Sequence, residues 1–348
     1  MCTGKKILAT LLMLAALQPA LAVTVSGAGS SAAQPLYSNW AQEYQHVTKN
    51  VVKYDATGSS AGLKKVKERA VEFGATDVAL SQEESAANQL ICFPTSVSGV
   101  VPFINLPGFK AGQLNLNGQI LAKIYEGEIT NWNDRAIATI NAGRTLPDLP
   151  IHPIARRDGS GSTYIFSDYL SKVSPSWSEH FGTKLLIQWP SAVTQADGSD
   201  GVIAAVEKSP GTIGYVDFGY VIEHHLEYTK LQNHDGQFVA PTFDTFSAAL
   251  TNSNWKTQAH FNEMLTDKPG PESWPITAGT FVLIQRISND PDKTVATLQF
   301  FSWSFLHGDE IARKAGYVRL SDSLQAKIFV LFATITDKDG HKLSWSPF

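Results

Sequence analysis

Apolar residues along this chain recur in two rhythms, alternating short strands with helices. Thr24-Val25-Ser26 predicts a strand running into Gly27-Ala28-Gly29-Ser30-Ser31-Ala32. Leu36, Tyr37, Trp40, Tyr44 and Val47 then follow helical spacing, with Pro35 tolerated in the first turn. Val51 to Ala56 predicts a second strand that enters Thr57-Gly58-Ser59-Ser60-Ala61-Gly62, followed by a basic helix carrying Leu63, Val66 and Ala70. Phe73 to Asp77 reads as a third strand closed by a carboxylate. Ser81 with Glu84 forms a capping box for a short helix after it.

Further along, Ile120, Leu121 and Ile124 mark a helix ended by Gly127, and loop-rich sequence continues to Pro150. Ile151 to Arg156 predicts a strand. It leads through Asp158-Gly159-Ser160-Gly161-Ser162 into a helix with Ile165, Phe166, Tyr169, Leu170 and Val173 on its apolar face. A helix near Gly201 to Lys208 and a buried strand from Thr212 to Val216 follow. Val295, Leu298, Phe301 and Phe305 mark a helix stopped by Gly308, and Leu324, Ile328, Leu331 and Phe332 mark another. Strands alternating with helices imply an α/β chain with a mostly parallel sheet. Apolar strands at Gly99 to Leu106 and Thr280 to Ile284 are placed to carry the chain out of one lobe and back. With no long linker, this divides it into a discontinuous first lobe (23–105 with 272–348) and a second (106–271).

Ligands of such sheets bind at the carboxyl ends of strands. Four of those ends here carry small, hydroxyl-rich or acidic turns, which favours one shared polar ligand over four unrelated turns. A strand, a glycine-rich turn and a helix at 158–162 put free backbone N–H groups at a helix N-terminus, where the dipole suits an anion. Arg156 adds a planar fork of donors and a full charge. By itself, D-G-S-G-S is equally a capped helix after a tight turn. Asp77 is likewise either an acceptor in the site or a helix cap near Ser81.

Composition fixes the address. Lys5 and Lys6, the apolar run Ile7 to Leu17 and Ala20-Leu21-Ala22 form a secretory signal, residues 1–22, cleaved after Ala22. The mature protein is expected in the periplasm, with no insertion into the membrane. Cleavage removes Cys2 and leaves Cys92 alone, so no intrachain disulfide is available. It also takes the 28 basic residues to 26 against 32 acidic ones, a net charge of about −6, which argues against nucleic acid and anionic membrane surfaces. The nine histidines show no metal-binding spacing, and no cofactor is expected. Trp40, Trp132 and Trp303 are read as core, His224-His225 as surface, and Cys92 as a small buried hydrophobe.

Gly27-Ala-Gly-Ser-Ser, Gly58-Ser59-Ser60, Phe73-Gly-Ala-Thr-Asp77 and Arg156-Arg-Asp-Gly-Ser-Gly-Ser162 occur in one ordered set. With Tyr125-Glu-Gly-Glu-Ile-Thr-Asn-Trp132, Gly214-Tyr215-Val216 and Trp274-Pro-Ile-Thr277, this set resembles the periplasmic phosphate-binding proteins of bacterial ATP-driven phosphate uptake. The resemblance spans essentially the whole mature chain. It implies a two-lobed type II periplasmic-binding-protein fold with inorganic phosphate in the cleft, delivery to an inner-membrane ABC permease, and a monomer that is not an enzyme. It implies a phosphate-binding set of Ser31, Ala32, Ser59, Asp77, Arg156, Ser160, Gly161 and Ser162, with Asp158 orienting the arginine. Ser31 and Ser162 stand where that family usually has threonine, Ala32 where it has phenylalanine. Arg157 is extra, and either arginine could face the cleft.

The donors suit phosphate, whose oxygens each accept several hydrogen bonds. Asp77 is the odd member: a carboxylate beside an anion repels it unless the ligand carries a proton. Phosphate does and sulfate at neutral pH does not, so Asp77 offers a basis for discrimination. Two rival readings remain. Gly27-x-Gly29-x-x-Ala32 after a strand, with Asp55 ending the next, fits a nicotinamide-dependent enzyme. A serine hydrolase or phosphatase built on Ser160 lacks the G-x-S-x-G elbow, because residue 162 is serine.

Overall fold

The computed structural model describes residues 22–255 and 261–346; the expected signal segment lies outside the described residues except for Ala22. Eleven strands are present among them: β1 Thr24–Gly29, β2 Val51–Asp55, β3 Phe73–Thr76, β4 Leu90–Asn105, β5 Asn115–Leu116, β6 His152–Arg156, β7 Thr194–Ala196, β8 Thr212–Asp217, β9 Lys230–Gln232, β10 Phe238–Val239 and β11 Thr277–Gln285. Eight of them form one sheet in the order β2-β1-β3-β11-β4-β8-β6-β7, and β10-β9-β5 form a small second sheet. The pairs β1/β2, β1/β3, β6/β8 and β6/β7 are parallel. The two strands flanking β4 run antiparallel to it. The fold is the mixed α/β arrangement expected, but its centre is antiparallel.

That centre is one long strand. β4 pairs with β11 through Leu90–Gly99 and with β8 through Val100–Asn105. It therefore serves both halves of the sheet. The expected strand at Gly99 to Leu106 begins nine residues earlier, at Leu90. Pro94, Ser96, Ser98 and Gly99 interrupt the apolar run, and the strand persists because β11 pairs along that stretch and it is buried. A register shift lies opposite Thr280/Phe281, where Thr95 is the extra residue. Its hydroxyl donates to the Thr280 carbonyl at 3.1 Å and shares a 2.8 Å hydrogen bond with Tyr37. Such a bulge re-aims neighbouring side chains.

Helices cover the sheet largely where the periodicity put them. The Gln34–Thr48 helix buries Leu36, Tyr37, Trp40 and Tyr44, while Val47 faces solvent at its last turn. The Ser59–Lys67 helix buries Val66; it stops short of Ala70 because Arg69 takes a left-handed turn. The Pro291–His307 and Asp322–Phe332 helices pack Phe301, Phe305, Ile328 and Phe332 inward. Phe73, Phe93 and Tyr37 meet the Phe301 ring at 5.1–5.8 Å, a mostly edge-on cluster under the sheet. Trp40, Trp132 and Trp303 are core residues, and the first two donate their indole N–H to backbone carbonyls. His224 and His225 are exposed. Cys92 is only half-buried by surface area, yet its confined surroundings push the thiol up to about 12.

Candidate functional site

The turns at the ends of β1, β2, β3 and β6 converge on one buried polar cluster. Ser31, Ser59, Asp77, Arg156, Ser160 and Ser162 are each no more than 3% exposed. Ser31 and Ala32 lie in the 3-10 turn Ser31–Ala33 that follows β1. The carbonyls of that turn are tied outward: Tyr54 donates to Ser30 O, Tyr220 to Ser31 O and Tyr317 to Ala32 O, at 2.6, 3.1 and 2.6 Å. Ala32's own N–H donates to the Ser30 hydroxyl at 3.1 Å. Ser59 opens its helix after Gly58, whose φ of 89° suits glycine.

Arg156 ends β6 and points into the cluster. Its Nε donates to Asp158 Oδ1 at 2.7 Å and an Nη to Asp158 Oδ2, a two-pronged ion pair. The other Nη donates to Ser31 Oγ at 2.8 Å, reaching from the β6 side of the sheet to the β1 side. Asp158 Oδ1 also accepts the Gly198 N–H at 3.1 Å. Burial works to raise the Asp158 carboxyl, but the hydrogen bonds and charge of Arg156 outweigh it and hold it below the usual range. Arg157 turns outward to Asp197 and Gln195 O, mostly exposed. Of the two arginines, Arg156 is the one that faces inward.

Asp77 follows β3 and has no full charge bonded to it. Ser30 donates to its Oδ2 at 2.6 Å and Thr280 to its Oδ1 at 3.2 Å, while its N–H donates to Ser59 Oγ at 3.3 Å. Burial pushes its carboxyl up to about 6, against those hydroxyls and the more distant Arg156. It is not the cap of the following helix. Ser81 fills that place, with Glu84 completing the capping box.

Ser160 caps the Gly161–Val173 helix by accepting Thr163 N–H at 3.2 Å. Gly161 faces Asp77 so closely that a Cβ there would lie 2.3 Å from Asp77 Oδ2 and 2.5 Å from Ser59 Oγ. Across the same seam Ser60 N–H donates to Gly159 O at 3.1 Å. Ser162 Oγ is buried with no hydrogen-bond partner among the described residues. A buried hydroxyl of this kind is unusual in a native fold and is suited to an added acceptor.

Several residues of this cluster escaped the sequence reading. Ser199, buried at the start of the Gly198–Lys208 helix, lies 2.9 Å from Ser31 Oγ. Its signal was available: Asp197-Gly198-Ser199 repeats Asp158-Gly159-Ser160. Ser30 and Thr280 carried no signal, since their partner is distant in sequence. Asp217 ends β8 and accepts Gly219 N–H at 3.0 Å; burial, with the Asp77 charge adding, pushes it up to about 7.

Both rival readings lose ground here. Gly27 lies under the Phe73 ring and Gly29 against Ala75 O, each with no room for a Cβ, so these glycines serve strand packing. Asp55 is exposed and paired with Lys65 at 2.7 Å. Ser160's hydroxyl is engaged as a helix cap.

The PBP superfamily domain model matches residues 15–304. The chain is 40% identical over 312 residues to the phosphate-binding protein PstS of Xylella fastidiosa strain 9a5c, covering 90% of this chain and 85% of that protein. It is 39% identical over 324 residues to PstS of Pasteurella multocida strain Pm70, covering 93% and 94%. Among solved structures, a phosphate-binding protein from Stenotrophomonas maltophilia superposes with a TM-score of 0.70 at 19% identity, covering 94% of this chain and all of that one. A phosphate-bound putative phosphate ABC transporter substrate-binding protein from Clostridium perfringens gives 0.62 at 20%, covering 86% and 100%. The structures speak for the fold, which is the type II periplasmic binding fold, and the sequence relatives for the lineage. This chain belongs to the PstS phosphate-binding protein family within the PBP superfamily.

Proposed function

We propose that the chain binds inorganic phosphate at the seam between its lobes and carries it, without turning it over, to an inner-membrane ABC permease. One observation carries the reading: a buried, ion-paired arginine, three strand-end serines and an unpaired Ser162 hydroxyl gather in one buried cluster with Asp77, a carboxylate that has no ion-pair partner. Ser31, Ala32, Ser59, Asp77, Arg156, Ser160, Gly161 and Ser162 form the phosphate-binding set, and Asp158 orients Arg156. Charge-assisted hydrogen bonds contribute about 1.5–3 kcal/mol each, so a handful supports micromolar or tighter binding after ordering costs. Asp77 accepts the ligand's own proton, which phosphate has and sulfate lacks.

The lobes are 23–105 with 272–348 and 106–271, joined through β4. A ligand touching Ser31, Ser59 and Asp77 on one side and Arg156 with Ser160–Ser162 on the other favours closure by its differential affinity. The closed monomer is then what the permease recognises. Export places it in the periplasm, and N-terminal sequencing of the exported protein should begin at Val23. Calorimetric titration of ligand-stripped protein should show phosphate binding and little or no sulfate binding at neutral pH. Scattering should show the radius of gyration falling as phosphate is added. No phosphate binding, or hydrolysis of a phosphate ester, would overturn the reading.

A further inference from the structure

We propose that Ser30 and Thr280 form a two-hydroxyl clamp that keeps Asp77 ready to accept a proton. They are thereby specificity-determining positioning residues, favouring an oxyanion that carries a proton over one that does not. The inference rests on the phosphate-binding reading and extends it to two residues outside the binding set.

The geometry fixes the direction of both hydrogen bonds. A hydroxyl has one hydrogen, and Ser30 Oγ already accepts the Ala32 N–H at 3.1 Å. Its own hydrogen is thus free to go to Asp77 Oδ2, 2.6 Å away. Thr280 is aimed by the bulge in β4: the extra residue Thr95 holds the Thr280 carbonyl, and Thr280 Oγ1 reaches Asp77 Oδ1 at 3.2 Å. Each carboxylate oxygen therefore receives one proton donor. Donors to the charged form favour it.

Other elements packed against Asp77 offer little help. Arg156 on β6 supplies the positive charge, at a distance, and the Ser59 hydroxyl, which accepts the Asp77 N–H, also lowers the carboxyl, but less than Ser30, Thr280 or Arg156. Asp217 at the end of β8, and Tyr37, Tyr54 and Tyr317, add no cation; any charge on them would oppose the anion. Burial has already lifted the carboxyl to about 6, close to neutrality. With one hydroxyl gone, Asp77 keeps its proton to higher pH and holds it for a larger share of the time near neutrality. A protonated carboxyl is itself a donor, so it welcomes sulfate as well as phosphate.

Sulfate is the useful probe because it does not titrate near neutrality. In the wild type its affinity should rise as the pH falls through about 6, as Asp77 takes up its proton. Calorimetric sulfate titrations between pH 5 and 8.5 on Ser30→Ala and Thr280→Val should show that rise at higher pH. At pH 7 the gain over wild type should be about twofold to sixfold, the rise in protonated fraction that losing one hydroxyl hydrogen bond brings to a carboxyl starting from about 6. Thr280→Ser, which keeps the hydroxyl, should restore the wild-type profile. The Asp77 carboxyl carbon resonance, assigned with Asp77→Asn, should titrate at higher pH in both variants without any ligand. If phosphate binds while both sulfate profiles and resonances match wild type, the clamp is wrong and the phosphate reading stands. If the wild type binds no phosphate, the reading itself fails and the clamp falls with it.

Discussion

Asp158 and Asp77 both follow strand ends and both feel the charge of Arg156, yet their surroundings differ in kind. Asp158 holds Arg156 by two prongs and accepts a helix N-terminal N–H. Asp77 is more deeply buried and receives only hydroxyls on its side chain. One carboxyl is held below its usual range and the other is pushed up to about 6. Both follow a strand; the depth of burial and the bonded partner together decide the sign. An ion-paired carboxylate stiffens a cation for an anionic ligand. An unpaired one adjoining that ligand has a use only if the ligand brings a proton.

The largest way to break this arrangement is at its cation. Arg156→Lys removes the two-pronged pair with Asp158 and the reach to Ser31 together, because an ammonium cannot reproduce the fork. Phosphate affinity should fall by about 2–5 kcal/mol, the usual cost of truncating a buried charge pair at a binding site. Arg157→Lys, on the exposed neighbour, should be nearly silent in the same titration. Damage from Arg157→Lys alone would mean that the wrong arginine has been placed in the site.

A steric change comes next. The two sides of the seam meet where Gly161 lies over Asp77, and a methyl there would fall 2.3 Å from Asp77 Oδ2. Gly161→Ala should hinder closure and weaken phosphate binding by about 1–3 kcal/mol, the cost of overpacking a close contact. Scattering should then show a smaller contraction on adding phosphate. An unchanged contraction would mean that closure leaves more room than the seam suggests.

Substituting Asp77 tests the comparison by sign. A buried carboxyl raised to about 6 makes the native state bind more protons than the unfolded chain between pH 4 and 6. Its stabilising effect is full below the ordinary carboxyl range and is lost as pH rises through about 6. Asp158 runs the other way: its contribution is present at neutral pH and lost in acid. Asp77→Asn should therefore stabilise the ligand-free protein at pH 8 by about 1–3 kcal/mol, and Asp158→Asn should destabilise it, in denaturant titrations. The asparagine at 77 should keep phosphate binding to within about 1–3 kcal/mol and raise sulfate affinity. A constant phosphate-to-sulfate ratio would assign discrimination to cleft shape.

What could be read from the sequence follows from where each signal lives. Helix faces and all four site-bearing strands were legible because period and turn chemistry are local. The length of β4 was not, since Pro94, Ser96 and Gly99 break the apolar run and only the pairing with β11 and β8 keeps it extended. The small turns at 29–32, 57–60 and 158–162 announced a polar ligand because each follows a strand. Thr280 and Asp217 could not be found that way, and Ser30, though inside the first turn, carried no mark of its own partner. Ser30 and Thr280 gain meaning from Asp77, brought to them across 47 and 203 positions.

The smallest expected effect separates binding from folding most cleanly. Ser162 Oγ is buried with no hydrogen-bond partner among the described residues, at the N-terminal turn of the Gly161–Val173 helix. Its hydroxyl has lost water and gained nothing within the chain, a cost of about 1–3 kcal/mol for an unsatisfied group. Ser162→Ala removes that cost, so the ligand-free protein should be as stable as wild type or slightly more so. Phosphate would lose one hydroxyl hydrogen bond, worth about 0.5–1.5 kcal/mol, or somewhat more to an anion. Denaturant titration and calorimetry on the same preparation should thus move in opposite directions. If both fall together, Ser162 has a structural partner in solution, and the hydroxyl is part of the fold and not held in reserve for the ligand.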